Sequence, residues 1–383
     1  MTKIRNPFIT SGYVSAEYFC DREQESAELI RSMRNGENIA IISPRRMGKT
    51  GLIKHCFNQQ VIANEYHTFF IDIYATSSLK ELVFALGKQI FEELKPKGKT
   101  FLDHFFSTIT SLRPAFKLDA DTGAPSFDIG IGEIRLPEYS LEQIFSYMES
   151  ADRRCVVAID EFQQIAKYHE KNIEALLRTH IQECKNTNFV LAGSQRHMMQ
   201  NIFFSASRPF YQSVGVLNLE AIPADQYIPF IQKHFTDANK SISKENIQHV
   251  YDLFEGHTWY IQNIFNRLYS IVEREETIDL PFISETIADI LSSYEKMFQG
   301  MLSFLPERQK EVLIAIAKEG TALEVTSATF IRKHGLQSAS SVQASLKQLL
   351  DKDIITRVEN TYEVYDRFFG LWISKAYGMG FNL

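Results

Sequence analysis

The run Ser43-Pro44-Arg45-Arg46-Met47-Gly48-Lys49-Thr50-Gly51 carries the strongest chemical signal in the chain. It follows an apolar stretch, Ile39–Ile42, and opens a segment in which Leu52, Ile53, Cys56 and Phe57 fall at helical spacing. A strand, a tight loop and a helix beginning with Lys-Thr make a phosphate site, because the helix start aims unpaired backbone N–H groups at an anion. In such a site Lys49 reaches the β- and γ-phosphates of a nucleotide, and the Thr50 hydroxyl holds Mg²⁺. The strict form of the motif has Gly where this chain has Ser43, and Ser tolerates a strained loop less well.

A second signal lies downstream. Cys155-Val156-Val157-Ala158-Ile159-Asp160-Glu161 is an apolar strand ending in two carboxylates. Asp160 at the strand's end suits a Mg²⁺ partner. Glu161 beside it suits a general base that activates water for attack on the γ-phosphate. Either pair of acids or basic turn alone is an ordinary solvated feature; the two in this order are what the chemistry requires. A third feature is Gly193-Ser194-Gln195, where Ser194 or Gln195 is placed to sense the γ-phosphate. It lacks the Gly-x-Ser-x-Gly spacing of a serine hydrolase. Arg178, Arg196 and Arg208 follow in the same half of the chain. Arg208 precedes an apolar run, where an arginine finger for a neighbouring subunit's nucleotide would sit; each of the three also fits a surface or structural role.

These groups need a scaffold. Buried-strand patterns occur at Ile39–Ile42, Phe69–Ile73, Cys155–Ile159, Phe189–Ala192 and Val214–Leu219, separated by helical periodicity such as Leu79, Leu82, Val83, Leu86, Ile90 and Leu94. Alternating strands and helices imply a parallel sheet covered on both faces. Phe127, Ile129 and Ile131 alternate with polar or small residues after a turn-rich Asp121–Pro125, which reads as a β-hairpin inserted at about 113–134, either an elaborated loop or a partner-binding element. After Pro223 the strands stop, and three or four helices are expected to 300; in the third, Tyr260, Ile264, Leu268 and Ile271 share a face. From 301, three helical patterns precede two short strands that flank Glu359-Asn360-Thr361, a winged helix-turn-helix pattern. The domain expectation is therefore a phosphate-binding α/β core over 1–222, a helical region over 223–300, which the resemblance given below makes a lid, and a winged helix over 301–383.

Charge narrows the classes. The 383 residues carry 41 Lys+Arg against 47 Asp+Glu, a net of −6. General polyanion binding needs clustered positive charge, which this balance does not supply. Within 307–375 ten Lys/Arg face nine Asp/Glu. The third helix there offers Ser340, Ser341, Gln343, Lys347 and Gln348 on its polar face, with Arg332 and Lys333 in reserve on the second helix. One lysine is thin for neutralising phosphates. Cys20, Cys56, Cys155 and Cys184 show no metal or redox spacing and read as reduced thiols of a cytoplasmic protein. The apolar runs are too short to span a bilayer, so no membrane association is expected.

Taken together, these residues resemble the archaeal-type ATPase family, a branch of P-loop ATPases within the STAND and AAA+ assemblage. The matching pieces are Phe19-Cys20-Asp21-Arg22-Glu23, Pro44–Thr50, Ile159-Asp160-Glu161, Ala192-Gly193-Ser194 and Gly256-His257-Thr258-Trp259-Tyr260, with the Tyr362–Trp372 stretch similar to the family's wing and tail. The resemblance implies an α/β sheet of order 5-1-4-3-2, a helical lid, a winged helix, and ATP/ADP with Mg²⁺ as ligands. It places Phe19 and Arg22 near the adenine. The lid motif carries Thr258 where the family usually has Pro. A slow ATPase acting as a nucleotide switch is the expected function, its winged helix used for protein contact or self-association; an ATP-dependent DNA-binding regulator or replication-initiator-like protein is the alternative.

Overall fold

In the computed structural model, residues 6–93, 117–118, 125–126, 134–358 and 360–378 are described. Two compact units form: residues 11–222, and residues 223–383 together with the first ten.

The first unit is built on five strands: β1 (Ile39–Ile42), β2 (Tyr66–Asp72), β3 (Arg154–Asp160), β4 (Thr187–Gly193) and β5 (Gly215–Asn218). All pairings are parallel, in the order β2-β3-β4-β1-β5. This is the expected 5-1-4-3-2 order read from the other edge. Ile39 and Ile41 join one apolar cluster while Ala40 and Ile42 join another. Strand residues alternate faces, and in the central strands β1, β3 and β4 both faces are dry, so these read as largely apolar runs. One face packs on α1 (Glu23–Asn35) and α2 (Lys49–Phe57) through Leu29, Met33, Leu52, Ile53 and Cys56. The other is covered by α3 (Leu79–Glu93) and α4 (Pro137–Glu149), with α5 (Ile173–Glu183) and α6 (Arg196–Phe204) contributing Leu177, Ile181, Met199 and Phe203.

Register places the chemistry. Ile42 pairs with Gly193, Ile159 with Leu191, and Asp160 with Asp72. The carboxyl ends of four strands are thus level at one edge of the sheet, where doubly wound folds bind ligands. The alternating Phe127–Ile131 segment lies outside the described residues; Lys117–Leu118 and Pro125–Ser126 pair antiparallel.

In the second unit the expectation of three or four helices over 223–300 falls short. Five are present: α7 (Ala224–Thr236), α8 (Lys244–Leu253), α9 (Thr258–Ile271), α10 (Leu280–Ser293) and α11 (Glu295–Ser303). Side-chain caps divide them, Ser243 accepting from Asn246 N and Asp279 from Phe282 N, as capping residues do. Strands do not wholly stop either, since Ser241–Ile242 pairs with Thr277–Ile278. On α9, Tyr260, Ile264 and Leu268 are buried, but Ile271 at the helix end is exposed. Phe8 is buried here against Phe235 and Phe265, and Asn266 Nδ2 donates to the Phe8 carbonyl at 2.7 Å.

The C-terminal part contains α12 (Glu307–Glu319), β6 (Thr321–Leu323), α13 (Ala328–His334), α14 (Ala339–Asp351), β7 (Ile355–Val358), β8 (Thr361–Val364) and α15 (Arg367–Tyr377). The strands form a sheet in the order β6-β8-β7, a winged helix with one strand more than the sequence pattern showed. No helix among the described residues is long and apolar enough to cross a membrane.

Candidate functional site

β1 runs into the loop Ser43–Gly48, and Lys49 begins α2. Left-handed backbone falls at Arg46 (φ 68°) and Gly48 (φ 91°), so the departure at Ser43 is harmless. Ser43 is buried, its N–H donates to the Gly193 carbonyl at 3.3 Å, and its hydroxyl donates to the Pro44 carbonyl at 3.0 Å. It prolongs the β1–β4 ladder. Gly48 is different: a methyl there would meet nothing within 4 Å, so its φ, not space, demands glycine.

Two buried residues of opposite charge lie near enough to act on each other. Lys49 is 6% exposed and Asp160 5%. Burial pushes the Lys49 ammonium below the ordinary lysine range, and the Arg45 charge adds to that, against the pull of Asp160 and Glu161. Burial likewise raises the Asp160 carboxyl, against Lys49 and the Thr50 hydrogen bond. Thr50 Oγ1 donates to Asp160 Oδ2 at 2.7 Å. A hydroxyl and a carboxylate oxygen this close are hard donors suited to Mg²⁺. The sequence-predicted pair, 110 residues apart, therefore meets.

Glu161 has left-handed backbone (φ 58°), and its N–H donates to Asp160 Oδ1 at 3.0 Å. Its Oε2 accepts from Ser194 Oγ at 2.6 Å and from Gln163 Nε2. At the tip of β4, Ser194 is thus bonded to Glu161. Arg45 Nε in turn donates to Ser194 Oγ at 3.3 Å. Gln163 is a site residue the sequence did not reveal. It enters because a 3₁₀ turn, Phe162–Lys167, folds it back, and nothing in the residue order marks that return.

An ATPase-domain family found predominantly in Archaea matches residues 19–264, more than half of the chain. The chain belongs to this archaeal ATPase family. A winged-helix family matches residues 296–375. The fold of this archaeal-type ATPase is similar to that of a Walker-type ATPase from Pyrococcus abyssi, at 17% identity and a TM-score of 0.66 over 96% of this chain and 99% of that one. It is also similar to the ORC2 protein of Aeropyrum pernix, solved in ADPNP–ADP complexes, at 12% identity and a TM-score of 0.58 over 98% of each chain. The ORC1 protein of the same organism, solved in complex with DNA, matches at 12% identity and a TM-score of 0.54 over 97% and 96%. At these identities the likeness is one of fold. No curated protein matches by sequence.

Phe19 and Arg22, expected near the adenine, pack against α2 and the loop that precedes it. Phe19 stacks on His55 of α2, ring centroids 4.3 Å apart, and Tyr13 Oη bonds His55 Nδ1 at 3.1 Å. Arg22 is 4% exposed; its Nη2 donates to the Met47 carbonyl at 3.1 Å and its Nη1 to Glu25 at 2.7 Å. Arg22 thus braces the phosphate loop from behind, a role the sequence did not suggest. Arg208 is ion-paired with Glu174 of α5 in its own chain, and Arg196 with Glu220 at 2.6 Å. The site brings together Arg45, Lys49, Thr50, Asp160, Glu161 and Ser194.

Proposed function

We propose that this chain binds Mg-ATP through Ser43–Gly51 and hydrolyses it slowly as a nucleotide-driven switch. The observation that carries this is the 2.7 Å hydrogen bond from Thr50 to Asp160 above the buried Lys49. Burying charged groups such as Lys49 and Asp160 is costly, and a bound polyphosphate with its Mg²⁺ would offset that cost. Thr50 and Asp160 would hold Mg²⁺, which when bound neutralises charge on the phosphate oxygens. Lys49 and the loop N–H groups orient the phosphates, and Glu161 takes a proton from the attacking water. Residues 223–300 serve as a lid and 301–383 as a winged helix for protein contact or self-association.

DNA reading by that winged helix is not favoured. Lys333 Nζ lies 2.6 Å from Glu319 and His334 Nε2 2.7 Å from the same carboxylate, so the reserve of positive charge is partly neutralised within the fold.

Nucleotide at about 100 times its dissociation constant should stabilise the protein by roughly 2.7 kcal/mol. Thermal melting with Mg-ATP and Mg-ADP tests this, with Lys49→Ala expected to lose most of the gain. An equal melting shift in Lys49→Ala sinks the assignment.

A further inference from the structure

Arg45 has a place of its own in the phosphate loop. Its guanidinium lies over the Tyr74 ring, 5.3 Å from the centroid, and its Nε donates to Ser194 Oγ at 3.3 Å. The Ser194 hydroxyl donates its one O–H hydrogen bond to Glu161 Oε2 at 2.6 Å. Donor and acceptor roles run consistently along this chain, from guanidinium to hydroxyl to carboxylate. Tyr74 is held by its own N–H, which donates to Asp72 Oδ1 at 2.8 Å just past β2. Groups from the ends of β2 and β4 therefore hold one guanidinium near Glu161, the residue proposed as base. Arg45 also sits close enough to Lys49 for its charge to work against that ammonium. Two cations held together on an anion-binding loop are unfavourable until a polyanion arrives.

We propose that Arg45 is a catalytic arginine acting in cis, stabilising the charge that develops on the γ-phosphoryl group during ATP hydrolysis, with Ser194 and Tyr74 as its positioning residues. The inference rests on the ATPase reading above and deepens it. In the step concerned, a bond forms between the water oxygen and the γ-phosphorus, and the water's proton goes to Glu161. The bond from that phosphorus to the β–γ bridging oxygen breaks, and ADP leaves with the electron pair. Negative charge grows on oxygens that a planar five-donor fork can bond as they move, which a point-charge lysine does less well. Arg208 is engaged with Glu174 in its own chain, whereas Arg45 needs no second subunit.

The test uses full-length wild type, Arg45→Ala, Arg45→Lys and Lys49→Ala. ATP turnover is measured at several protein concentrations. Binding is measured to ADP, to ADP with beryllium fluoride as a ground-state mimic, and to ADP with aluminium fluoride as a mimic of the transferring group. Arg45→Ala should lower kcat about 10³-fold or more, the scale of an arginine finger. KM should move by less than about threefold, because the interaction is made in the transition state. The tighter binding of the aluminium fluoride complex should be lost while the other two affinities hold. Arg45→Lys should recover only a minor part of kcat, and wild-type specific activity should be flat with concentration. A raised KM with kcat intact makes Arg45 a ground-state phosphate contact and overturns the proposal. Specific activity that climbs with protein concentration assigns the finger to a neighbour and also overturns it. Failure of the ATPase reading shows differently: wild type would bind ADP no better than Lys49→Ala, and both ideas fall.

Discussion

Gly193→Ala tests how tightly Glu161 is framed. Gly193 ends β4, one residue before Ser194. A methyl at that position would lie 2.3 Å from Met199 Sδ, 2.6 Å from Met199 Cγ and 2.5 Å from Gln163 Oε1. Contacts that short cannot persist, so two side chains must shift. Met199 is fully buried in the cluster under α6, and rotating it into packed neighbours costs about 1–3 kcal/mol. Gln163 is 2% exposed and donates to Glu161. Displacing it also removes a hydrogen bond to a charged group, roughly 1.5–3 kcal/mol. The expected total is therefore about 2.5–6 kcal/mol if both side chains yield, and about 1–3 kcal/mol if Met199 alone does. For a unit of this size each kcal/mol lowers the melting temperature by about 2–4 °C, so a fall of about 5 °C or more is expected when both yield. Scanning calorimetry measures it. A double-mutant cycle with Met199→Ala should show a favourable coupling of about 1 kcal/mol or more, because the smaller side chain vacates the methyl's space. ATP turnover in Gly193→Ala should drop with it, since Glu161 loses a partner. A melting temperature within about 1 °C of wild type, or a cycle with no coupling, refutes the close-approach argument.

Glu161→Gln keeps size and shape but removes the base: ATP affinity should survive in equilibrium binding while turnover falls about 10²–10⁴-fold, and a native rate would remove Glu161 from the mechanism. Glu319 is held below the usual carboxylate range, chiefly by its hydrogen bond to Lys333 and then by His334. A depressed carboxyl adds stability that is present above its unfolded pKa and lost as pH falls through the folded one. Glu319→Gln should therefore cost roughly 0.2–1 kcal/mol at neutral pH, and melting curves of variant and wild type should converge in acid; a constant gap down to about pH 3 contradicts this. Fluorescence titration of the full chain with Mg-ATP against duplex DNA should give a dissociation constant no tighter than about 10⁻⁴–10⁻⁶ M at physiological salt. Nanomolar binding of any fragment would promote the DNA-regulator alternative.

The contiguous parts of this protein were legible in its sequence. Ser43–Gly51 is one stretch of chain whose loop-to-helix form depends on local backbone geometry, and Asp160-Glu161 closes one strand, so residue type and spacing sufficed to place both. The central strands were legible because both of their faces are dry, and a largely apolar run is the result. Helix boundaries after Pro223 were less so: α10 and α11 are separated by little more than Tyr294, and no periodicity marks so short a break. What only the tertiary structure decided is which distant groups share an atom. Glu161 meets Ser194 because β3 and β4 are neighbours in register. Arg22 meets the Met47 carbonyl, and Arg208 meets Glu174, across loops with no pattern of their own. A hydrogen bond is short and directional, so its partners are set by the sheet order and register that bring the elements together, and residue order along the chain does not specify them.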